Sequence, residues 1–440
     1  EKLVIQLRQK KQEATKLKKR AEKQLKEVRS IERRSTSGLH SIEKKMELER
    51  EDVGDVSGIL NQKTSQLDSI DRLVKSAEER ITREKEELEQ ILVTWNDTGL
   101  EYNSDKCVHQ LFESMVEISP DAEAVVFENE SIAYRELNTR ANHLAYYLIE
   151  HGIQSGKPVG VCIERSVEMI VGILAVLKAG GAYVPLDPEY PKDRIAFILD
   201  DANVEVLLTQ NKLVDRFSDL MVNLVVLDET NIVLSDEVIL NGAEGLLTVP
   251  ERPTMNNGNP SGTVVCEYAA YVIYTSGTTG IPKGVTITHK NLLSLLYAFE
   301  HATPSSRKRV GVSVCSFTFD VSVWEIFSNL CFGGALHILT QVTFADPPLF
   351  ADYLTRHKIS SAYIPTALLD PVVERFKETD QKVYLENLLV GVEPIKQGTL
   401  QKFKDLSETI QIVNGYGPSE STICSTFFLF PEKCDELQRR

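Results

Sequence analysis

Over the first 92 residues, apolar side chains return on a seven-residue frame. Leu7, Ala14, Ala21 and Val28 share one row, with Leu3, Leu17 and Ile31 as companions. A second run holds Leu60, Leu67, Val74, Ile81 and Leu88, with Val56, Ile70, Ala77 and Ile91 beside them. Heptads of this kind predict helices paired along an apolar seam, as a coiled coil or a helical hairpin. The two runs are four residues out of frame, which predicts a stutter near Gly54 and Gly58 or a turn between antiparallel helices. Lys10, Gln24, Lys63 and Glu84 fall in the seam and weaken it. The stretch has no proline and no Phe, Tyr or Trp, and its basic run from Lys10 to Arg34 reads as a solvated helix face.

From Trp95 the pattern changes. Short apolar runs predict strands at Ala124–Phe127, Pro158–Ile163, Val204–Leu208, Leu224–Leu227, Ala270–Tyr274, Gly311–Ser316 and Ile410–Val413. Amphipathic runs predict helices at Tyr134–Glu150, Ser166–Lys178, Asn291–His301 and Val323–Leu330. Strands alternating with helices imply βαβ units, largely parallel sheets and an α/β fold. The division expected is a helical region at 1–92, a linker at 93–104, the α/β domain at 105–432 and a polar tail at 433–440.

Composition narrows the function classes. A formal charge of −15 disfavours nucleic acid as a partner. No run of eighteen apolar residues occurs, so no membrane span is expected. Seven scattered cysteines without a CxxC pair suggest reduced thiols in the cytoplasm, and the eight histidines show no zinc-ligand spacing. The first residue is Glu1, which suggests a fragment of a longer chain.

The densest chemical signal is Tyr274–Val285, YTSGTTGIPKGV, where a predicted strand runs into a Gly/Ser/Thr loop and a second β-prone run. Such a loop offers hydroxyls and unhindered N–H groups to anionic oxygens, and Lys283 adds a cation. It is not a Walker loop, because no Ser or Thr follows Lys283.

The twelve-residue string resembles the signature loop of the adenylate-forming superfamily, which includes acyl-CoA synthetases, luciferases and the adenylation domains of nonribosomal peptide synthetases. Leu177–Pro188 (LKAGGAYVPLDP), Ile132–Asn138 (IAYRELN), Phe319–Glu325 (FDVSVWE) and Asn414–Thr422 (NGYGPSEST) resemble the adenylation-domain versions of further motifs. Asp105–Glu113 and the Trp95–Thr98 string WNDT resemble the start of such a domain and its preceding linker. The resemblance covers about residues 95–432 and implies the large subdomain of the luciferase-like fold, with mixed, mainly parallel sheets flanked by helices.

It also implies ATP-dependent activation of an amino acid, with Mg²⁺ as cofactor. Thr275, Ser276, Thr278, Thr279 and Lys283 would hold phosphates, with Gly277 and Gly280 in the same loop. Thr279, Lys283 and Glu420 would serve catalysis, and Glu420 would bind the metal. Tyr416 would stack on adenine, Ser419 would stand beside the α-phosphate, and Glu393, Asn414, Gly415 and Gly417 would complete the nucleotide site. Asp320, a carboxylate in an apolar stretch, matches the residue that holds the substrate ammonium. Val321, Trp324, Ala362, Leu389, Gly391, Gly415, Ile423 and Cys424 would form the side-chain pocket. None is charged, which favours a neutral, apolar or aromatic amino acid.

Three departures qualify the resemblance. The sequence ends before the family's ribose-binding Asp and its C-terminal lid with a catalytic Lys, so this stretch alone is expected to be inactive or nearly so. Val392 stands where the family has a glycine beside adenine, and Pro253–Glu267 is irregular. No condensation or carrier motif is visible, so a phosphopantetheine-bearing carrier domain and a condensation domain would be partners from a larger synthetase. Two alternatives stay open: an acyl- or aryl-CoA ligase relative, and a non-catalytic coiled-coil interaction protein carrying a degenerate adenylation fold.

Overall fold

The computed structural model describes all residues except 1, 47–52, 103–104, 228–256, 261–263, 277–280, 306–307, 380–381, 392 and 432–440. The chain divides into two compact units, Glu1–Glu101 and Tyr102–Arg440.

The first unit is built from two long helices, α1 (Lys2–Met46) and α2 (Val53–Leu92), which pack on each other. On α2 the burial follows the heptad: Leu60, Leu67, Ile70, Ala77, Ile81 and Leu88 are half-buried and Val74 is buried. On α1 one row differs from expectation. Leu25, Val28, Glu32, Ser35, Leu39 and Ile42 are half-buried, whereas Ile31 is 52% exposed. Leu25, Glu32 and Leu39 thus set the companion row, with Glu32 and Leu39 four residues after Val28 and Ser35 rather than three, and Ile31 falls outside it. At the far end Ile91 is 43% exposed and Leu92 is half-buried in its place. Arg29 and Glu78 form an ion pair at 3.4 Å between the helices, but both are about half exposed and the pair adds little stability.

Among the described residues the second unit contains two sheets. The smaller has six strands, β3 (Pro158–Val161), β4 (Ala182–Pro185), β5 (Val206–Thr209), β6 (Asn223–Val226), β7 (Ala269–Thr275) and β8 (Lys283–Thr288), in the order β6-β5-β3-β4-β7-β8. The larger has eight: β1 (Glu123–Phe127), β2 (Glu130–Ala133), β9 (Val310–Ser313), β10 (Ala335–Ile338), β11 (Ser361–Tyr363), β12 (Asn387–Gly391), β13 (Gln411–Tyr416) and β14 (Thr426–Leu429). Its order is β14-β13-β12-β11-β9-β10-β1-β2. Pairing is parallel except at β1–β2, β13–β14 and β7–β8, which close sheet edges.

Strands buried on both faces explain the continuous apolar runs. In β5, Val206 and Leu208 enter the main core while Leu207, between them, enters a second core with Ile198 and Phe217 on the other face. Helix α5 (Val167–Lys178) is buried at every position, which its nearly unbroken apolar sequence permits. Ser166 caps its start, accepting from the Met169 N–H at 3.3 Å, and Gly180 at φ +84° ends it in the left-handed conformation that favours glycine. Lys178, its one buried cation, donates to Glu113. Part of the irregular segment before β7 is firmly held: Asn259 Oδ1 accepts from Asn138, Asn142 and Lys178 at 3.0–3.2 Å. No helix among the described residues is long and apolar enough to cross a membrane.

Candidate active site

The chemistry-bearing residues gather at the carboxyl ends of parallel strands, the usual crevice for ligands in open α/β sheets. Four strands of the larger sheet end there. β9 leads into the turn Val314–Asp320, β11 ends on Tyr363, β12 on Gly391 and β13 on Tyr416. Together they enclose a cavity of ≈ 180 Å³.

Asp320 stands at the cavity wall, 5% exposed, at the start of helix α8 (Val321–Leu330). Its carboxylate accepts from the Ser419 hydroxyl and has no cationic partner among the described ion pairs. Burial raises its pKa, the hydrogen bond from Ser419 opposes that rise, and nearby Glu420 adds to it. An uncompensated, desolvated carboxylate of this kind favours a cation as ligand.

The opposite wall depends on glycine. Gly391 and Gly415 are register partners on β12 and β13. A Cβ on Gly391 would lie 2.2 Å from the Gly415 carbonyl oxygen, and its φ of +148° strains any other residue. A Cβ on Gly415 would lie 2.5 Å from Cys424 Sγ, across the cavity floor. Gly391→Ala should therefore force β12 from β13 and lower stability by about 2 kcal/mol or more. Urea unfolding measures this, and an unchanged midpoint would contradict the packing.

Beyond Tyr416 the chain turns through the short helical segment Ser419–Ser421 into Thr422 (φ 63°) and Ile423 (φ 64°). Two consecutive β-branched residues in left-handed backbone are rare and strained. They bring Ile423 and Cys424 back onto the cavity. Tyr416 presents a 63% exposed ring at the lip, and Glu420 is exposed beside it.

Asp320, Val321, Leu389, Gly391, Gly415, Ile423 and Cys424 all line the cavity, with Tyr416, Gly417 and Ser419 at its edge. Trp324 and Ala362 do not. Trp324 lies one turn along α8 and packs edge-on against Phe299 at 4.8 Å, 2% exposed. Ala362 is fully buried, and on β11 the alternation of side chains turns it away from its neighbour Tyr363, which does line the cavity. Asn414 pairs with Val390 in the ladder behind the rim, and Glu393 is exposed just past β12. Thr275 and Lys283 face each other at the loop end of the β7–β8 hairpin, with Ser276 exposed beyond Thr275. β8 also lies against the Ser419–Ser421 segment, so the hairpin reaches the cavity's lip. Gly277, Thr278, Thr279, Gly280 and Val392 lie outside the described residues.

Two residues brace this site in a way that the motifs do not predict. Glu325, fully buried, accepts from the Val314 and Cys315 N–H groups at 3.1–3.3 Å. Arg165 donates to the Ser313, Val314 and Cys315 carbonyls of the same turn. The segment carrying Asp320 is thus clamped at both its donors and its acceptors. Burial is the main cause raising Glu325 to about 7, against the opposing N–H bonds and the Arg165 charge. Glu325 lies at the end of the Phe319–Glu325 motif, but nothing in the motif assigns it this role, and Arg165 shows only as a charged residue between two apolar runs.

Residues 112–439 match the AMP-binding enzyme family. The chain is similar to gramicidin S synthase 1 of Brevibacillus brevis, 38% identical over 342 residues, covering 77% of this chain and 29% of that protein. It is 37% identical over 332 residues to tyrocidine synthase 1 of Brevibacillus parabrevis, covering 75% of this chain and 28% of that one. The AMPPNP-bound form of the nonribosomal peptide synthetase FmoA3 shares the fold, with a TM-score of 0.65 and 24% identity over 78% of this chain and 35% of that one. The chain thus spans less than a third of the length of these two synthases. With the family's match running over both sheets and the whole cavity, this chain belongs to the AMP-binding enzyme family.

Proposed function

We propose that residues 105–432 bind ATP and an amino acid and carry the adenylation half of a nonribosomal peptide synthetase module. The buried Asp320, with no cationic partner among the described residues and lining a cavity whose other walls are uncharged, is the observation that carries this reading. It suits an α-ammonium group, whereas a fatty-acid substrate would leave the carboxylate unpaired. In the reaction the amino-acid carboxylate attacks the α-phosphorus of ATP, the bond to pyrophosphate breaks, and an aminoacyl-adenylate forms.

The chemistry of the residues near the cavity suits that step. The Tyr416 ring offers a face for adenine, Gly415 and Gly417 allow close approach of the nucleotide, and Ser419 borders the α-phosphate. The Thr275–Lys283 loop would gather the outer phosphates. A single exposed carboxylate, Glu420, fits a hard cation whose other ligands are phosphate oxygens and water. Mg²⁺ held there would supply charge neutralisation during displacement.

The walls contributed by Val321, Leu389, Ile423 and Cys424 carry no charge, which favours a neutral, mainly apolar amino acid. Transfer to phosphopantetheine would need carrier and condensation domains such as a larger synthetase provides. The helices of residues 1–92 are read as a coiled coil or hairpin for a partner protein.

Calorimetric titration of the chain with ATP and Mg²⁺ tests the nucleotide site. Saturable binding is expected, and Tyr416→Ala should weaken it about tenfold through lost stacking. Absence of binding in a folded chain would instead favour the non-catalytic interaction protein. Exchange of pyrophosphate by the full natural protein, stimulated by a neutral amino acid and not by Asp or Lys, tests the substrate class.

A further inference from the structure

Among residues that do not line the cavity, two cysteines distant in sequence meet inside the second unit. Cys107 Sγ and Cys266 Sγ are 3.5 Å apart, and both are buried, at 0% and 6% exposure. Cys107 stands immediately before helix α3 (Val108–Ile118), and Cys266 lies three residues ahead of β7. We propose that this pair is an oxidation site, at which a hydroperoxide converts the two thiols to a disulfide.

Contacts that involve neither sulfur already hold the two segments in place. The Cys107 N–H donates to Gln110 Oε1 at 2.7 Å, and the Val108 N–H donates to His289 Nδ1 at 3.4 Å. The Cys266 carbonyl accepts from the Lys290 N–H at 2.9 Å. Forming a bond of about 2.0 Å then closes the sulfurs by about 1.5 Å. Burial, and then the neighbouring Cys266 sulfur, hold the Cys107 thiol protonated, so Cys107 suits the resolving role.

The Cys266 sulfur, the more accessible of the two, attacks the O–O bond. It becomes a sulfenic acid as an alcohol, or water from hydrogen peroxide, departs. Cys107 then attacks that sulfur, the S–S bond forms and water leaves. Two electrons pass from the thiols to the peroxide.

The product would tie the start of α3 to the base of the β7–β8 hairpin, closing a loop between residues 159 apart. That base is the end of β7 opposite Thr275, so the inference is independent of the nucleotide reading.

The chain is treated with hydrogen peroxide and denatured, free thiols are alkylated, and the unreduced digest is mapped by mass spectrometry. The expected result is one peptide containing Cys107 joined to one containing Cys266, lost on reduction. The melting temperature should rise by about 5 °C and return with dithiothreitol. Cys266→Ser should abolish both effects. Recovery of both cysteines as alkylated thiols, or joined to other cysteines, overturns the proposal. The peptide map of the unmodified chain decides this without any variant needing to fold.

Discussion

Asp320→Ala should lower amino-acid-dependent pyrophosphate exchange by the full natural protein about 100-fold, while binding of ATP with Mg²⁺ stays within about twofold. A charge-assisted hydrogen bond contributes about 1.5–3 kcal/mol, and each 1.4 kcal/mol is tenfold. The variant would also leave the substrate ammonium against apolar walls with only Ser419 for company. Asp320→Asn keeps the shape and loses the charge, so it should recover little. Acid should act in the same direction. The carboxyl has its pKa raised by burial, and its proton-bound form cannot pair with an ammonium. Falling pH should therefore raise the KM for the amino acid before it affects that for ATP. Equal loss of amino-acid and ATP binding would show that Asp320 merely supports the fold.

Glu325→Ala should destabilise the second unit by about 3–5 kcal/mol, read from the midpoint of chemical unfolding. It would leave the half-buried Arg165 without its acidic neighbour and two buried N–H groups without an acceptor. The milder Glu325→Gln gives a pH signature. The folded pKa of about 7 lies above the ordinary 4.5, so the native state holds this proton more tightly than the unfolded chain does. The resulting stability is full below about 4.5 and is lost as pH rises through about 7. The shift corresponds to about 3 kcal/mol across that window. Glu325→Gln should flatten this part of the stability curve, so its deficit relative to Glu325 shrinks from pH 5 to pH 8. A deficit constant across that range would mean that Glu325 does not exchange its proton on unfolding.

Much of the α/β unit was legible because its strands and helices follow simple periods. Tyr134–Glu150 forms the helix its pattern predicts, residue for residue, and Ala270–Tyr274 grows by one residue at each end into β7. Gly311–Ser316 was read too long. The chain leaves the sheet after Ser313 because Glu325 and Arg165 take the polar groups of Val314 and Cys315 that a ladder would have used. The three-residue β11 carries too short a period to stand out, and it forms because β9 and β12 flank it.

The chain's own order of residues determined the Gly/Ser/Thr string within Tyr274–Val285, the carboxylate in an apolar stretch at Asp320, and the small residues at Gly391 and Gly415. Each is a local chemical requirement written at one place in the chain. Only tertiary structure decided which of them meet. Strand register sets Gly391 against Gly415 and turns Ala362 away from Tyr363, while the turn of α8 sends Trp324 to Phe299 rather than to the cavity. Ser419 reaches Asp320 from 99 residues away, and Cys107 reaches Cys266 from 159. Such contacts arise from the packing of whole sheets and helices, and no local pattern of side chains encodes them.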